Sequence, residues 1–477
     1  MKQIKYISLL VLGMCVSSCG DDFLEPTPTS AISGVEYYAT EAQLETALIN
    51  MYDGIQGVNI LANTDSDLNH SIQVEFYLTE MRSDNTRTKS SEGEAAQFEN
   101  FTVQATNGIV SDYYTSFYNV IFRANTVLDN IDVASEESAP SFEGEAKFVR
   151  AYANFNLVRL FGDIPLIDRV IGISDIETQF TRVPKAEVYD LIIADLQRAI
   201  ETLDNSHKNR ASKAAAQGLL AKVYLTLGTN YVDAQVLCEA VMTSGYSLEE
   251  DFKDVFYSEN NDEIIFSIGF LPDTTLDSQN FSAEWLNSVG RTSGVNYVTT
   301  EARAALDAQG GDRTAYSYRQ DAAQVSQYQV AKFLPDGDED LGILPTSGDP
   351  RSAGNDWIVL RYADVLLMHV EAIMGANSST SAQAALDSFE LVRLRAGLLG
   401  DDDGMITKQE LLEERRVELA FENQRLFDLI RFNAAQDVLS NFSTENGYGF
   451  SATDLLLPIP QKEINLSNGV LTQNPGY

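Results

Sequence analysis

The apolar residues of this chain recur every third and fourth position over long stretches, and that spacing restricts the fold more than any other feature. Tyr114, Phe117, Tyr118 and Ile121 stand at i, i+3, i+4 and i+7 between Ser111 and Ile131, so a helix there has one face to bury. Glu145 to Phe161 reads as a second helix, ended by Gly162 and Pro165. Pro184 suits a first helical turn, after which Val188, Leu191, Ile192, Leu196, Ala199 and Leu203 share a face. Ser212 can cap a further helix striped by Leu220, Val223, Tyr224 and Leu227, with Ala214, Gly218 and Ala221 beside the stripe to admit a close neighbour helix. Val232 to Met242 completes a helical hairpin, and Ile358–Ala376 with Ala382–Ala396 makes a similar pair. Thr407 to Glu410 is a capping box opening a helix that runs toward Phe421 or beyond. Helix pairs repeating at about 35 residues, with small residues at the contact, point to tetratricopeptide-like stacking. The predicted fold is mainly α.

Residues 246–350 differ. Glu263 to Ile268 and Tyr328 to Phe333 read as short strands, and Gly-, Ser- and Asp-rich loops between them carry Trp285, Tyr297, Tyr316 and Tyr318. A helical scaffold over about 35–245 and 351–477 with a loop- and strand-rich insertion over about 246–350 is therefore expected, together one domain, with the insertion as a binding face.

Met1 to Cys19 has the form of an export signal: Lys2 and Lys5, a mostly apolar run from Tyr6 to Val16, small residues, then cysteine. The run is shorter than the roughly 20 apolar residues needed to span a bilayer. The expectation is cleavage of residues 1–18, acylation of Cys19, and a proline-bearing tether over 19–34. Cys15 leaves with the signal, so Cys238 remains as the lone free thiol, at apolar helix spacing with Ala234 and Val241; it reads as a core residue. No disulfide can form within such a mature monomer. The formal net charge is −37, and no basic stripe offsets it, which argues against nucleic acid as a partner.

Catalytic chemistry is thin. The chain has 3 histidines: His369 reads as a packed core imidazole, His207 as a solvated turn residue, and His70 lies in a polar loop that could face ligand. No HExxH, GxSxG, Walker or GxGxxG context occurs. Asp336-Gly337-Asp338-Glu339-Asp340 imitates the opening of a calcium loop, but Gly342 is one place late and Ser347 stands where a bidentate Glu is required. No cofactor, metal site or catalytic residue is expected.

Several segments together resemble the SusD/RagB family of outer-membrane nutrient-binding lipoproteins. They are Cys19 to Glu25, Glu145 to Tyr152, Leu160-Phe161-Gly162-Asp163-Ile164-Pro165-Leu166, Ser212 to Leu225, Leu360 to Leu367 and Val392 to Gly397. The C-terminal signature is the most specific: Glu414-Arg415-Arg416-Val417-Glu418-Leu419-Ala420-Phe421-Glu422, then Arg425 to Arg431, Leu457 to Ile464 and Gln473 to Tyr477. The resemblance implies a lipid-anchored protein on the outside of the outer membrane, acting as a non-catalytic lid on a SusC-like TonB-dependent β-barrel transporter. Its cargo would be oligosaccharide, or peptide as in some relatives. The arginines and acids of the C-terminal signature are expected to pair with one another.

In that pattern ligand groups come from the loops after the first helices and from the middle insertion, with aromatic rings offering flat faces and polar side chains offering directed hydrogen bonds. The candidates are Asp65, Asn69, His70, Arg82, Asp84 and Asn85 from the first region, and Trp285, Arg291, Tyr297, Tyr316 and Tyr318 from the second. The chain has 2 tryptophans, and Trp357 reads as core, so no tryptophan arc is available and the choice between sugar and peptide stays open. A surface glycoside hydrolase and a structural adhesin are the remaining alternatives.

Overall fold

The computed structural model describes residues 38–60, 69–88, 93–172, 174–285, 296–322, 324–400 and 403–477. Its longer helices are α1 (Glu41–Gln56), α2 (Gly93–Glu99), α3 (Gly108–Asp129), α4 (Ala139–Phe161), α5 (Lys185–Thr202), α6 (Lys213–Leu227), α7 (Tyr231–Met242), α8 (Thr300–Gln309), α9 (Tyr362–Met374), α10 (Gln383–Arg395), α11 (Lys408–Glu418), α12 (Arg425–Arg431) and α13 (Ala435–Asn446). The strands are short: β1 (Thr86–Thr88), β2 (Ile164–Pro165), β3 (Arg182–Val183), β4 (Ile264–Ile268), β5 (Asn296–Val298), β6 (Tyr318–Gln320), β7 (Tyr328–Val330), β8 (Trp357–Arg361), β9 (Ser379–Thr380) and β10 (Ile406–Thr407). All pair two by two and antiparallel: β1 with β5, β2 with β3, β4 with β8, β6 with β7 and β9 with β10.

The helices form a continuous stack in which α1 packs on α3, α3 on α4, α4 on α5, α5 on α6, α6 on α7, α7 on α9 and α9 on α10. This is the tetratricopeptide-like arrangement that the apolar spacing predicts. Two of the capping signals hold in detail. The Ser212 hydroxyl accepts the Ala215 amide at 3.1 Å, and Thr407 with Glu410 makes the expected capping box.

Four local expectations need correction. Residues from Ile358 belong first to strand β8, because Trp357–Arg361 has its partner in β4; α9 starts only at Tyr362. The helix opened by Thr407 ends at Glu418, and Phe421 beyond it takes a left-handed backbone. Pro184 stands at the N-cap of α5 and not inside its first turn. Gly218 admits a strand and not a helix: a Cβ there would lie 2.4 Å from Leu360 Cδ2 of β8.

The main core runs through the stack and into the insertion, where Trp285 meets Phe76, Phe333 and Trp357 with ring centroids 5.4, 5.1 and 5.6 Å apart. Cys238 and Trp357 are core residues, as their spacing and position suggest. His369 is also interior, with Nδ1 2.8 Å from the Ser388 hydroxyl.

A buried ionic lattice joins the insertion to the C-terminal helices. Arg361 contacts Glu263 at 2.7 Å, Glu418 at 2.6 Å and Glu422 at 2.8 Å. Arg313 reaches Glu414 and Glu418, each at 2.7 Å, and Lys332 reaches Glu422 at 2.6 Å. Arg395 pairs with Glu263 and Glu418. Burial by itself raises the Glu418 carboxyl, but Arg395, Arg361 and Arg313 outweigh it and hold that carboxyl well below the ordinary glutamate range. Burial lowers the Lys332 ammonium to about 8, against the opposing pull of Glu422. Arg415, Arg425 and Arg431 are likewise paired, with Asp428 and Asp364, with Asp84, and with Glu371 and Asp428. The charged C-terminal signature is therefore frame.

Candidate functional site

The two regions expected to supply ligand groups meet directly. Strand β1, which follows the turn at Ser83–Asn85, pairs with β5 of the insertion so that Arg87 faces Tyr297 across the ladder, Thr86 faces Val298 and Thr88 faces Asn296. The junction is tied off by Thr299, whose amide donates to the Asn85 carbonyl at 3.0 Å and whose hydroxyl donates to the Asp84 carbonyl at 2.8 Å. Strand β7 packs beside β5, and its partner β6 brings Tyr318 alongside Tyr328, ring centroids 5.8 Å apart. The Arg303 guanidinium covers the Tyr328 ring at 3.8 Å.

Beside this strand cluster is an open cleft of about 560 Å³, lined by Arg87 and Thr88 of β1, Glu99 of α2, Tyr297 of β5, Gln327 before β7 and Tyr448 after α13. Arg87 organises it. Its Nη1 donates to Asn446 Oδ1 at 2.8 Å and its Nη2 donates to the Tyr448 hydroxyl at 2.7 Å. Its Nε lies 3.1 Å from Glu99 Oε1. The same guanidinium sits 5.9 Å from the ring centroids of both Tyr297 and Tyr448. Tyr448 donates to Glu99, whose other oxygen accepts the Thr88 amide at 2.6 Å.

Burial raises the Glu99 carboxyl above its ordinary value, although Tyr448, Arg87 and Thr88 all pull the other way. Burial also raises the Tyr297 and Tyr448 phenols, so both remain neutral donors and acceptors at physiological pH. Among the described residues Glu99 is the one carboxylate in this lining, and its oxygens are engaged by Arg87, Tyr448 and the Thr88 amide. The arrangement offers two half-buried aromatic faces fixed by an arginine, ringed by amide and hydroxyl groups: a surface for polar, ring-bearing molecules.

Of the sequence candidates, Tyr297 lines this cleft and Tyr318 stands in the adjoining strand pair. Of the other candidates, those among the described residues stand away from this cleft, which corrects their expected placement. Trp285 is 2% exposed inside the aromatic cluster, because its indole is worth more buried than held against solvent. Arg82 is buried and donates to the Leu78 carbonyl at 3.0 Å and the Asp454 carbonyl. Asp84 is clamped by Arg425 at 2.8 Å and Arg416 at 2.9 Å, and Asn85 bridges Glu80 and Arg416. His70 is interior with Nδ1 2.5 Å from Asp112 Oδ2. Asn69 is half-buried and uses its carbonyl to accept the Val58 amide. Tyr316 packs half-buried against apolar residues of the insertion. Asp65, Arg291 and Cys19 lie outside the described residues.

Sequence reasoning missed Glu99, Gln327 and Tyr448 and gave Arg87 no separate role. Tyr448 had a legible signal, an aromatic ring between Gly447 and Gly449 in a loop; Glu99 had none, being one of 70 acids. The acidic loop at Asp336–Asp340 folds on itself, with Asp338 Oδ1 accepting the Asp340 and Leu341 amides and its other oxygen taken by Arg319. Among the described residues no group of three His, Cys, Asp or Glu side chains is arranged to hold a metal ion, and no helix is long and apolar enough to cross a membrane.

Known proteins share this architecture. A profile of the SusD family matches residues 283–477, and a second, described as starch-binding associating with the outer membrane, matches residues 22–225. A SusD-like protein of Formosa agariphila is 28% identical over the full length of both chains. A SusD-like protein of Bacteroides ovatus is 25% identical over 95% of this chain and 87% of its own. Among solved structures, a laminarin-binding SusD-like protein superposes with a TM-score of 0.74 at 25% identity, covering 92% of this chain and all of that one. A surface glycan-binding protein of Bacteroides fluxus gives a TM-score of 0.76 at 24% identity over the same share, a likeness of fold.

Proposed function

Because this chain belongs to the SusD/RagB family, we propose that it is a glycan-binding protein of the cell surface whose cleft beside β1 and β5 takes an uncharged or weakly charged oligosaccharide. The observation that carries this reading is the Arg87-centred pair of half-buried tyrosines, Tyr297 and Tyr448, in an open cleft. Pyranose C–H faces stack on such rings, while Gln327, Asn100 and Thr88 stand within the same wall to meet hydroxyls. The laminarin-binding relative makes β-glucan the first ligand class to try. A polyanion is disfavoured by a chain carrying −37.

Cys19 carries the lipid anchor, the body sits on the outer membrane facing the exterior, and the captured sugar passes to a SusC-like TonB-dependent β-barrel transporter without being cut. Among the described residues the cleft lining presents one carboxylate, Glu99, where glycoside hydrolysis commonly uses two, which favours a non-catalytic role. Calorimetric titration of the protein lacking its leader against laminarin oligosaccharides, xyloglucan, mannan, fructan and alginate tests the ligand class. Heat with at least one neutral glycan, reduced by Tyr297→Ala, is expected. No heat with any of them, together with co-purified peptides identified by mass spectrometry, would replace sugar with oligopeptide as the cargo. Metabolic labelling with an alkyne fatty acid, lost in Cys19→Ala, tests the anchor.

A further inference from the structure

A second cavity, larger than the tyrosine cleft, lies among the described residues. It measures about 680 Å³ and opens among the ends of α4, α6 and α9, the start of α5 and of α11, helix α12 and the C-terminal tail. Its walls are apolar over much of their extent, with Leu227, Met374, Phe427, Ile430 and Leu456 among the lining residues. Its charged groups are lopsided for so acidic a chain: Arg159, Arg182, Lys185, Lys408 and Arg431 against Asp163 and Glu371.

Internal pairing does not use up the surplus. Arg431 is spent on Glu371 and Asp428. Arg159 is held between the Phe155 and Phe427 rings at 4.0 and 3.8 Å; among the described residues it donates to the Phe155 carbonyl and Asn156 Oδ1, and the buried Glu75 acts on it only through space. Arg182 donates to the carbonyls of Asp163 and Thr472 and to Asn474 Oδ1. Among the described residues neither arginine, nor Lys185 or Lys408, has a carboxylate within 4.0 Å. The helix ends do not cancel the charge either. Four carbonyl ends (at Gly162, Gly228, Gly375 and Phe432) meet three N–H ends (at Lys185, Tyr231 and Lys408), and at roughly half a charge each they leave about half a negative charge.

We propose that this cavity is a second binding site, separate from the tyrosine cleft, for a small amphipathic organic anion: one acidic group on an aromatic or branched apolar body. The acid group meets Arg159, Arg182 and the two lysines, and the body lies on the leucine, methionine and phenylalanine wall. The volume falls within the roughly 300–1,000 Å³ of ordinary small-molecule sites. A polysaccharide chain does not suit so apolar a wall, and a simple inorganic anion would leave it wet.

The probe is 8-anilinonaphthalene-1-sulfonate, an aromatic sulfonate that brightens in apolar surroundings, with N-phenyl-1-naphthylamine as the same rings without the charge. The full mature protein is expected to bind the sulfonate saturably at one site and the neutral analogue at least tenfold more weakly. The pair Lys185→Glu and Lys408→Glu, at an exposed and a half-buried position, is expected to lower sulfonate affinity about tenfold or more while thermal midpoint and oligosaccharide titration stay as they were. Equal binding of the two dyes, or a double variant within twofold of the native protein, would overturn the proposal.

Discussion

Replacing Glu418 by glutamine tests the frame on which the cleft is hung. Glu418 is 0% exposed and touches Arg361, Arg313 and Arg395, while its backbone carbonyl accepts from Lys332 at 2.9 Å and from Arg361 at 2.8 Å. The buried part of the surrounding lattice contains four cations (Arg313, Lys332, Arg361 and Arg395) and four carboxylates (Glu263, Glu414, Glu418 and Glu422), and the half-buried Arg393 reaches Glu414 from its edge at 3.0 Å, so no carboxylate there is in excess. Glu418→Gln keeps the shape and leaves one buried positive charge uncompensated, which costs about 3–5 kcal/mol. The exposed pair Arg351–Asp349 is the control: Asp349→Asn removes a solvent-screened contact worth under about 1 kcal/mol. Urea unfolding reads the difference as a lowered midpoint at unchanged slope. The pH dependence has a definite sign. In the folded protein the Glu418 carboxyl lies well below its unfolded value of about 4.3, so its contribution is full above that value and is lost as pH falls through the folded one. The wild-type advantage over Glu418→Gln should therefore shrink on acidification below about pH 4.3. A loss of under 1 kcal/mol at neutral pH, or an advantage that grows on acidification, would refute the reasoning.

Three further outcomes are expected. Gly57 has φ +67 and stands so close to the returning chain that a Cβ would lie 2.2 Å from the His70 carbonyl oxygen, so Gly57→Ala should cost at least about 1–3 kcal/mol by urea melts. Cys238 is 0% exposed and burial pushes its thiol well up, so iodoacetamide should label it, by peptide mapping, only after unfolding. Arg87→Ala frees the Tyr297 and Tyr448 rings from their common support and should weaken oligosaccharide binding about tenfold in calorimetry, some 1.4 kcal/mol, with the fold intact.

The helical frame was legible because burial of one face imposes a period on the sequence: the stripe Val188, Ile192, Leu196 and Ala199 had one physical meaning, and α5 realises it. The Thr407 capping box was legible for the same reason, since its hydrogen bonds are local. Strand β8 was not. Trp357 to Arg361 flows into a helix by spacing alone, and only the distant partner β4 makes it a strand. The candidate site divides likewise. Tyr297 was reachable as a half-polar aromatic in a loop-rich stretch. Arg82, Asp84 and Asn85 look like surface polar residues until their partners, Asp454, Arg416 and Arg425, arrive from far along the chain. Buried ion pairs hide from a one-dimensional reading, because charge signals exposure until the counter-charge is found. Glu99 and Tyr448 reach the cleft from segments about 350 positions apart, as their 349-residue separation in the hydrogen bond between them attests.

The most direct measurement is hydrogen–deuterium exchange of the mature protein with and without a bound laminarin oligosaccharide. The amides of Thr86–Thr88, Asn296–Val298 and Gly447–Gly449 should gain protection together, and Tyr297→Ala should abolish the gain. Protection confined to the helical stack, or a bound sugar that leaves those three segments unchanged, would contradict the assignment of the cleft.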